Sequence, residues 1–318
     1  MIDLHWLYAL AGATFAAFAL TSARDRTNPK RFANAAFWGL IAVSFWFGDF
    51  LGDIGNGVLV LVLVALAGLH LLGKGAGKST TMKERQESSD RLGNKLFLPA
   101  LIIPFTAFAG TLLFSYTPLK VSGLIEPKAV TLVLLGLGVI VALVTCYVWL
   151  RPPALAPVQE GRRLMDSIGW AAILPQMLAA LGAIFAAAGV GDTVGSIASA
   201  VLPHGNVFLA VLLYAGGMAV FTMIMGNAFA AFPVMAAAVG VPILIQQSGG
   251  NPAVIGAVGM LAGFCGTLCT PMAANFNIVP AALLELKDQH GVIKAQIPTA
   301  IALFIVNVAI IYVGGFLL

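Results

Sequence analysis

Charged side chains in this sequence sit almost entirely in short connectors between apolar runs of about 20 residues, the length an α-helix needs to cross a hydrocarbon core. In lipid every backbone N–H and C=O must be paired within the protein, so spanning segments are helices or closed barrels. Continuous apolar runs, without the ten-residue alternation of a barrel strand, select helices. The composition agrees: 60% of residues are hydrophobic and 9% charged, against about 25% charged in soluble domains. The chain therefore reads as an all-α polytopic membrane protein. It has about eight full transmembrane spans, plus one re-entrant hairpin and a broken helix in the C-terminal half.

The spans fall at 4–20, 33–51, 57–72, 96–116, 129–150 and 167–188. The first has no basic residue before it and no convincing cleavage site, so it is expected to be a retained helix and not a signal peptide. Lys and Arg alternate between connectors. Four, six and three follow spans one, three and five, and zero and two follow spans two and four. The positive-inside rule then places the N-terminus outside the cytoplasm. The net charge of +4 is explained by this topology and needs no nucleic acid. Residues 1–116 form an expected N-terminal helical scaffold of four spans, and residues 117–318 an expected second domain. RPPALAP (151–157) reads as an extended spacer, KERQESSDR (83–91) as a solvated loop, and 189–205 as a weakly apolar outer loop.

The second domain changes character. Residues 206–245 are too long for one span and carry no charge; their polar interruption is Thr222 to Asn227. The arms meet at Gly226-Asn227-Ala228. They make either two spans joined by a tight turn or a re-entrant hairpin, and the absence of Lys or Arg at the turn favours the hairpin. Residues 253–286 are apolar enough to cross a membrane, yet Gly266, Pro271 and Pro280 interrupt them among Thr267, Thr270, Asn275 and Asn277. Proline removes a backbone donor and clashes with the preceding turn. Backbone groups freed at membrane depth must face protein or water. This stretch is therefore either a solute or ion site at a broken helix or a kinked helix whose Asn residues bind neighbouring helices. The last span is 297–318, which ends outside; the arrangement puts 15 of the 17 Lys and Arg on the cytoplasmic side.

Hydrolytic chemistry is not expected: no Ser/His/Asp set, metal cluster or paired carboxylate occurs at depth. The chain is read as not an enzyme, and no cofactor is expected. Between Ser167 and Ala282 the charged side chain is Asp192, with His204 as a second ionisable group, and both fall in the outer loop. Cys265 and Cys269, four apart, read as small packing residues and not a metal pair. Asp49 and Asp53 read as a headgroup-level pair at the outer end of span two, and the tryptophans as interface markers. GKGAGKST (73–80) lacks the spacing of a phosphate loop and follows a helix.

The segments LPQMLAALGAIFAAAGVGDTVGSIASAVL, TMIMGNAFAAFPVMAAAVGVP and GFCGTLCTPMAANFNIVPAALLE resemble the C-terminal repeat of the ion-transporter superfamily of carboxylate carriers. There a hairpin tip reads Ser-Asn-Thr or Gly-Ser, and a broken helix carries Thr-Pro…Asn. Asn227 matches that tip, but Gly226 and Ala228 stand where hydroxyl residues would, which puts any sodium site they build in doubt. Over nearly its whole length the chain is more closely similar to a bacterial inner-membrane family of unknown function, number nine-seven-nine. That resemblance implies pairing with a second small membrane protein, of family nine-six-nine, and transport of 5-oxoproline (pyroglutamate). The hairpin tip and helix break, read with the superfamily likeness, give Thr222, Gly226, Asn227, Ala228, Thr267, Thr270, Pro271, Asn275 and Asn277 as candidate substrate contacts, with the coupling ion, Na+ or H+, left open and a candidate Na+ position near Asn227, Thr270 and Asn275. One hairpin and one broken helix supply half of such a site, so a second subunit or a homo-oligomer would supply the rest. The competing reading is a non-transporting scaffold or channel-type subunit, in which the same polar residues only pack helices.

Overall fold

The computed structural model describes residues 2–75, 81–118, 123–201 and 205–317. His204, Lys120, Lys78 and most of the GKGAGKST segment lie outside the described residues. The described residues are helical apart from connecting segments and one isolated bridge between Ile2 and Ile125. Seven helices are long and apolar enough to cross a membrane. The chain divides into two compact units, Met1–Asp166 and Ser167–Leu318. The expected boundary at 116/117 lies inside the first unit, because α4 (Phe97–Tyr116) packs along α5 (Val130–Leu150). A Cβ at Gly138 would meet the backbone of Ile103, so these two helices approach to backbone contact.

In the first unit α1 (Leu4–Arg24) is N-capped by Asp3, which accepts from His5 N. The second helix, α2 (Arg31–Gly68), has 38 residues. A straight helix of that length would reach about 57 Å. It does not run straight: Gly52 sits at φ 61°, ψ −174°, and the chain folds back there. The proof is at the ends. Asn34 near the start donates to the carbonyl of Gly73 just past the end, at 2.7 Å, and accepts from Gly73 N at 2.9 Å. Spans two and three are thus two arms joined at one glycine, tighter than the connector expected through Asn56. Asn56 lies within the second arm, where its amide donates to the carbonyls of Gly48 and Gly52. Phe15 of α1 stacks on Trp38 and Phe45 of α2, which fixes α1 against the first arm.

Two stretches read as loop are helices. Met82–Leu92 (α3) covers KERQESSDR because Thr81 and Glu84 form a capping box; its solvent exposure is as expected. RPPALAP is not an extended spacer throughout: Arg151 is left-handed (φ 48°), 154–155 form a turn, and α6 (Ala156–Ile168) follows with Pro157 in its first turn, where its missing N–H costs nothing. One face of α6 packs on the first unit: Gly161 lies against Phe18, and Arg162 and Asp166 enter a buried polar cluster. Arg162 Nη1 meets Asp25 Oδ2 at 2.7 Å and Asp166 Oδ2 at 4.0 Å. Asp166 Oδ1 accepts from Asn34 at 2.8 Å and from Trp38 Nε1 at 2.9 Å. Burial pushes the Asp166 carboxyl above its ordinary value, against the pull of Trp38 and Asn34. At Asp25 burial acts the same way, but Thr27 and Arg162 outweigh it and hold the carboxyl low.

In the second unit span six is not one continuous helix. A turn at Gly169 (φ 57°) and a 3₁₀ segment, Gly169–Ile173, lead into α7 (Leu174–Ala187), and Gly189 (φ 66°) separates α7 from α8 (Val190–Val201). The expected outer loop 189–205 is thus largely helix, and the crossing it follows is interrupted. With 14 and 12 residues, the two helices rise about 21 and 18 Å, each short of a 30 Å hydrocarbon core. Both lie against α10 (Ala228–Met235), and α8 also packs on the π-helix Ala236–Gln247 that prolongs it. Gly182 touches Ala230, and Gly191 and Gly195 touch the backbone of Val234 and Ala238. The core is built where α9 (Val207–Met225), α11 (Pro252–Thr267) and α13 (Gly291–Phe316) meet, around Tyr214, Met218, Leu244, Ile255 and Ile311.

Gly52→Ala places a Cβ in a backbone region reserved for glycine and is expected to cost about 1–3 kcal/mol, read as a lowered thermal midpoint in detergent. Asp166→Ala strands the donors of Asn34 and Trp38 and is expected to cost about 2–3 kcal/mol. Asp166→Asn, which keeps an acceptor, should cost less in the same assay.

Candidate functional site

The C-terminal half of α9 and the whole of α11 run side by side in the same direction. Tyr214 lies against Gly259, Met218 and Thr222 against Gly263, and Ala219 against Gly266. The contact is so close that a Cβ on Gly266 would collide with the Ala219 carbonyl oxygen. The two helices then end at the same level, and both ends are special. The end of α9 is Gly226 at φ 73°, whose N–H donates to the Thr222 carbonyl at 2.7 Å. Asn227 follows at once and accepts from Phe229 N at 2.9 Å, capping the start of α10. Two consecutive residues thus end one helix and start its return, and the left-handed position at Gly226 favours glycine.

The break in the second apolar run is present. Helix α11 ends at Thr267, residues 268–273 are not α-helical, and α12 (Ala274–Leu283) resumes. Pro271 supplies no N–H there. Thr270 Oγ donates to the Met223 carbonyl at 2.8 Å and accepts from Met272 N at 3.2 Å. Asn277, one turn into α12, reaches back with its amide. Nδ2 donates to the Thr267 carbonyl at 2.9 Å and the Thr270 carbonyl at 2.6 Å. These are C-terminal carbonyls of α11 and the break that intrahelical bonds no longer satisfy.

Of the nine expected residues, Thr222, Gly226, Asn227, Ala228, Thr267, Thr270 and Asn277 lie around this junction, and all but half-buried Asn227 are buried. Pro271 and Asn275 are exposed. The three residues expected near Na+ do not present three free oxygens. Thr270 Oγ and Asn227 Oδ1 are hydrogen-bonded to the backbone, and Asn275 faces out. The oxygens left over are others: Thr222 Oγ1 and Asn277 Oδ1, both fully buried and without a hydrogen-bond partner. Among the described residues no three His, Cys, Asp or Glu converge as a metal site. Cys265 and Cys269 are free thiols and do not share a helical face, since the helix ends between them.

Asn307 was not singled out from the sequence. It is buried in α13, donates to Cys265 Sγ at 3.5 Å, and lines a cleft of about 320 Å³ with Thr267, Leu268, Phe276 and Leu303. A lone amide in the middle of an apolar 26-residue helix is the signal that could have found it.

The model of the family described as "Protein of unknown function (DUF979)" matches residues 5–316. No curated protein and no solved structure matches the chain.

Asn277→Ala uncaps two buried carbonyls and is expected to lower stability by about 2–3 kcal/mol. Asn275→Ala, on the exposed side of the same helix, should leave the thermal midpoint unchanged. Equal effects would remove the capping role.

Proposed function

This chain belongs to that family, and we propose that it is one subunit of a secondary carrier for a small carboxylate, with 5-oxoproline as the first substrate to try. One observation carries the reading: Thr270, in the break between α11 and α12, donates to the Met223 carbonyl, which lies just before the tip between α9 and α10. Helix α12 has 10 residues, a rise of about 15 Å, and the charged segment Glu285 to Lys294 follows it. On this reading, with α12 running along the membrane normal, the break would lie about one α12 length in from the headgroups, and the Thr270–Met223 bond holds the tip beside it. On this reading α9–α10 is the re-entrant hairpin. The crossings are α1, the two arms of α2, α4, α5, the interrupted pair α7–α8, the interrupted pair α11–α12, and α13.

The chemistry fits an anion held without arginine. The N-termini of α10 and α12 bring the positive ends of two helix dipoles to the junction. The unpartnered oxygens of Thr222 and Asn277 offer contacts to a substrate group or to a coupling cation, Na+ or H+. In alternating access the hairpin and the interrupted helices would carry the solute against a scaffold. A second small membrane subunit, or a second copy of this chain, would complete the other half of the site. The setting is a bacterial inner membrane, with both termini outside.

The test is uptake of labelled 5-oxoproline into proteoliposomes, by this chain alone and with the second subunit, under separate sodium and proton gradients. Saturable, gradient-driven uptake is expected with both subunits. Asn227→Ala should abolish it, and Thr222→Val, which keeps the shape and removes the hydroxyl, should reduce it at least about tenfold with the fold retained, as loss of a buried polar contact does. Unchanged kinetics in both variants would sink the site. Full uptake without this chain would leave it a scaffold.

A further inference from the structure

The cleft beside the break has a polar group that the junction does not use. It holds about 320 Å³ between α11, α12 and α13, and is lined by Phe264, Thr267, Leu268, Phe276, Leu303 and Asn307. Ligand pockets start at about 300 Å³, so this one suits a molecule the size of one small ring. Two of its walls belong to the break itself. Thr267 ends α11, and Phe276 stands next to Asn277 in α12.

Asn307 sets the chemistry of the cleft. It lies in the interior of α13, in a stretch from Ile297 to Leu318 that has no charged residue, and it is only 7% exposed. A primary amide offers two N–H donors and an acceptor oxygen. Here Nδ2 donates to Cys265 Sγ at 3.5 Å, and thioether or thiol sulfur is a weak acceptor. Oδ1 accepts from no donor among the described residues. An asparagine that only ties helices together would spend its amide on backbone, as Asn277 does on the carbonyls of Thr267 and Thr270. Asn307 instead keeps an acceptor, and a donor that is barely engaged, side by side at the cleft.

Charge narrows what can bind there. Between Ser167 and Ala282 the one charged side chain is Asp192, and the cleft lining holds none. An ammonium group or a second carboxylate would therefore enter an apolar cleft without a counterion, which is strongly unfavourable. The partner that remains is neutral. A donor and an acceptor side by side on one amide pair bidentately with an acceptor and a donor side by side, as asparagine does with the N6/N7 edge of adenine. In a small ring that edge is the cis amide of a lactam.

We infer that this cleft is the subsite for the neutral body of the substrate, and that Asn307 determines specificity by reading a lactam edge. Oδ1 accepts the ring N–H and Nδ2 donates to the ring carbonyl. The apolar ring faces lie among Phe264, Leu268 and Phe276, and the carboxylate is left toward the break and the positive end of α12. The inference rests on the carrier reading above and narrows its substrates to lactam monocarboxylates. Open-chain amino acids and dicarboxylates are rejected, because their additional charges meet no counterpart.

The experiment is competition against labelled 5-oxoproline, read both as uptake into proteoliposomes and as equilibrium binding to the purified protein in detergent, each with the second subunit present. The competitors are unlabelled 5-oxoproline, cyclopentanecarboxylate, which keeps ring and carboxylate but lacks the amide edge, and glutamate. Unlabelled 5-oxoproline should compete about thirtyfold better than cyclopentanecarboxylate, the scale of two ordinary hydrogen bonds, and glutamate should not compete. Asn307→Leu keeps the volume and removes both polar atoms. It should erase the ratio by weakening 5-oxoproline alone, with the thermal midpoint retained. Equal competition by the two ring acids in the unaltered protein, or an unchanged ratio in Asn307→Leu, would overturn the inference, while gradient-driven uptake leaves the carrier standing. Lactam-selective binding without uptake would overturn the carrier and keep the subsite. Neither binding nor uptake would overturn both.

Discussion

Asn277 does for the second unit what a loop cannot do inside an apolar layer: it gives a severed helix end somewhere to send its carbonyls. Its amide spans the gap between α12 and α11 through Thr267 and Thr270, and Thr270 passes the connection to α9 through Met223. Interrupting a helix at depth leaves carbonyls whose alternative partners, in lipid, do not exist. The interruption is tolerable because one side chain satisfies two of them. Everything near it follows from that economy. Helices α9 and α11 must lie close enough for Thr270 to reach Met223, which requires Gly259, Gly263 and Gly266 at their contact. The oxygen of the same amide, Asn277 Oδ1, is buried and has no hydrogen-bond partner in the protein.

The same logic separates what the sequence discloses from what it hides. The break at Pro271 and the turn at Gly226-Asn227 are written in residues that cannot do otherwise, a proline without an N–H and a glycine at positive φ. The interruption of the α7–α8 run at Gly189 is less visible, since a glycine beside polar residues reads equally as a loop. The fold-back between spans two and three is legible as a polar connector ending at Asn56, but its narrowing to the single residue Gly52 is not, since Gly48, Gly52, Gly55 and Gly57 all stand close together there. Helix α3 was hidden by its charge, although Thr81 and Glu84 spell its cap.

Site residues follow a similar division. Thr222, Thr267, Thr270 and Asn277 are legible because intramembrane polar groups are rare. Which of them is free and which is spent on backbone is not legible, because that depends on distances across the fold. Asn275 and Asn277 differ by two positions and by a half-turn of helix, and only one of them faces the break. Nothing in the sequence singles out Asp166, because its partners Asn34 and Trp38 stand far back in the chain.

That long separation sets an order of events during biosynthesis. The bond from Asn34 to Asp166 closes a span of 132 residues. While α1, α2, α4 and α5 are being delivered to the bilayer, Trp38 and Asn34 already lie at the end of a membrane helix with no carboxylate to receive their protons. The first unit is thus completed only when α6 emerges, and its last turn arrives as a latch. A chain stopped anywhere before Asp166 would leave the Trp38 indole N–H without the acceptor that it has in the complete unit.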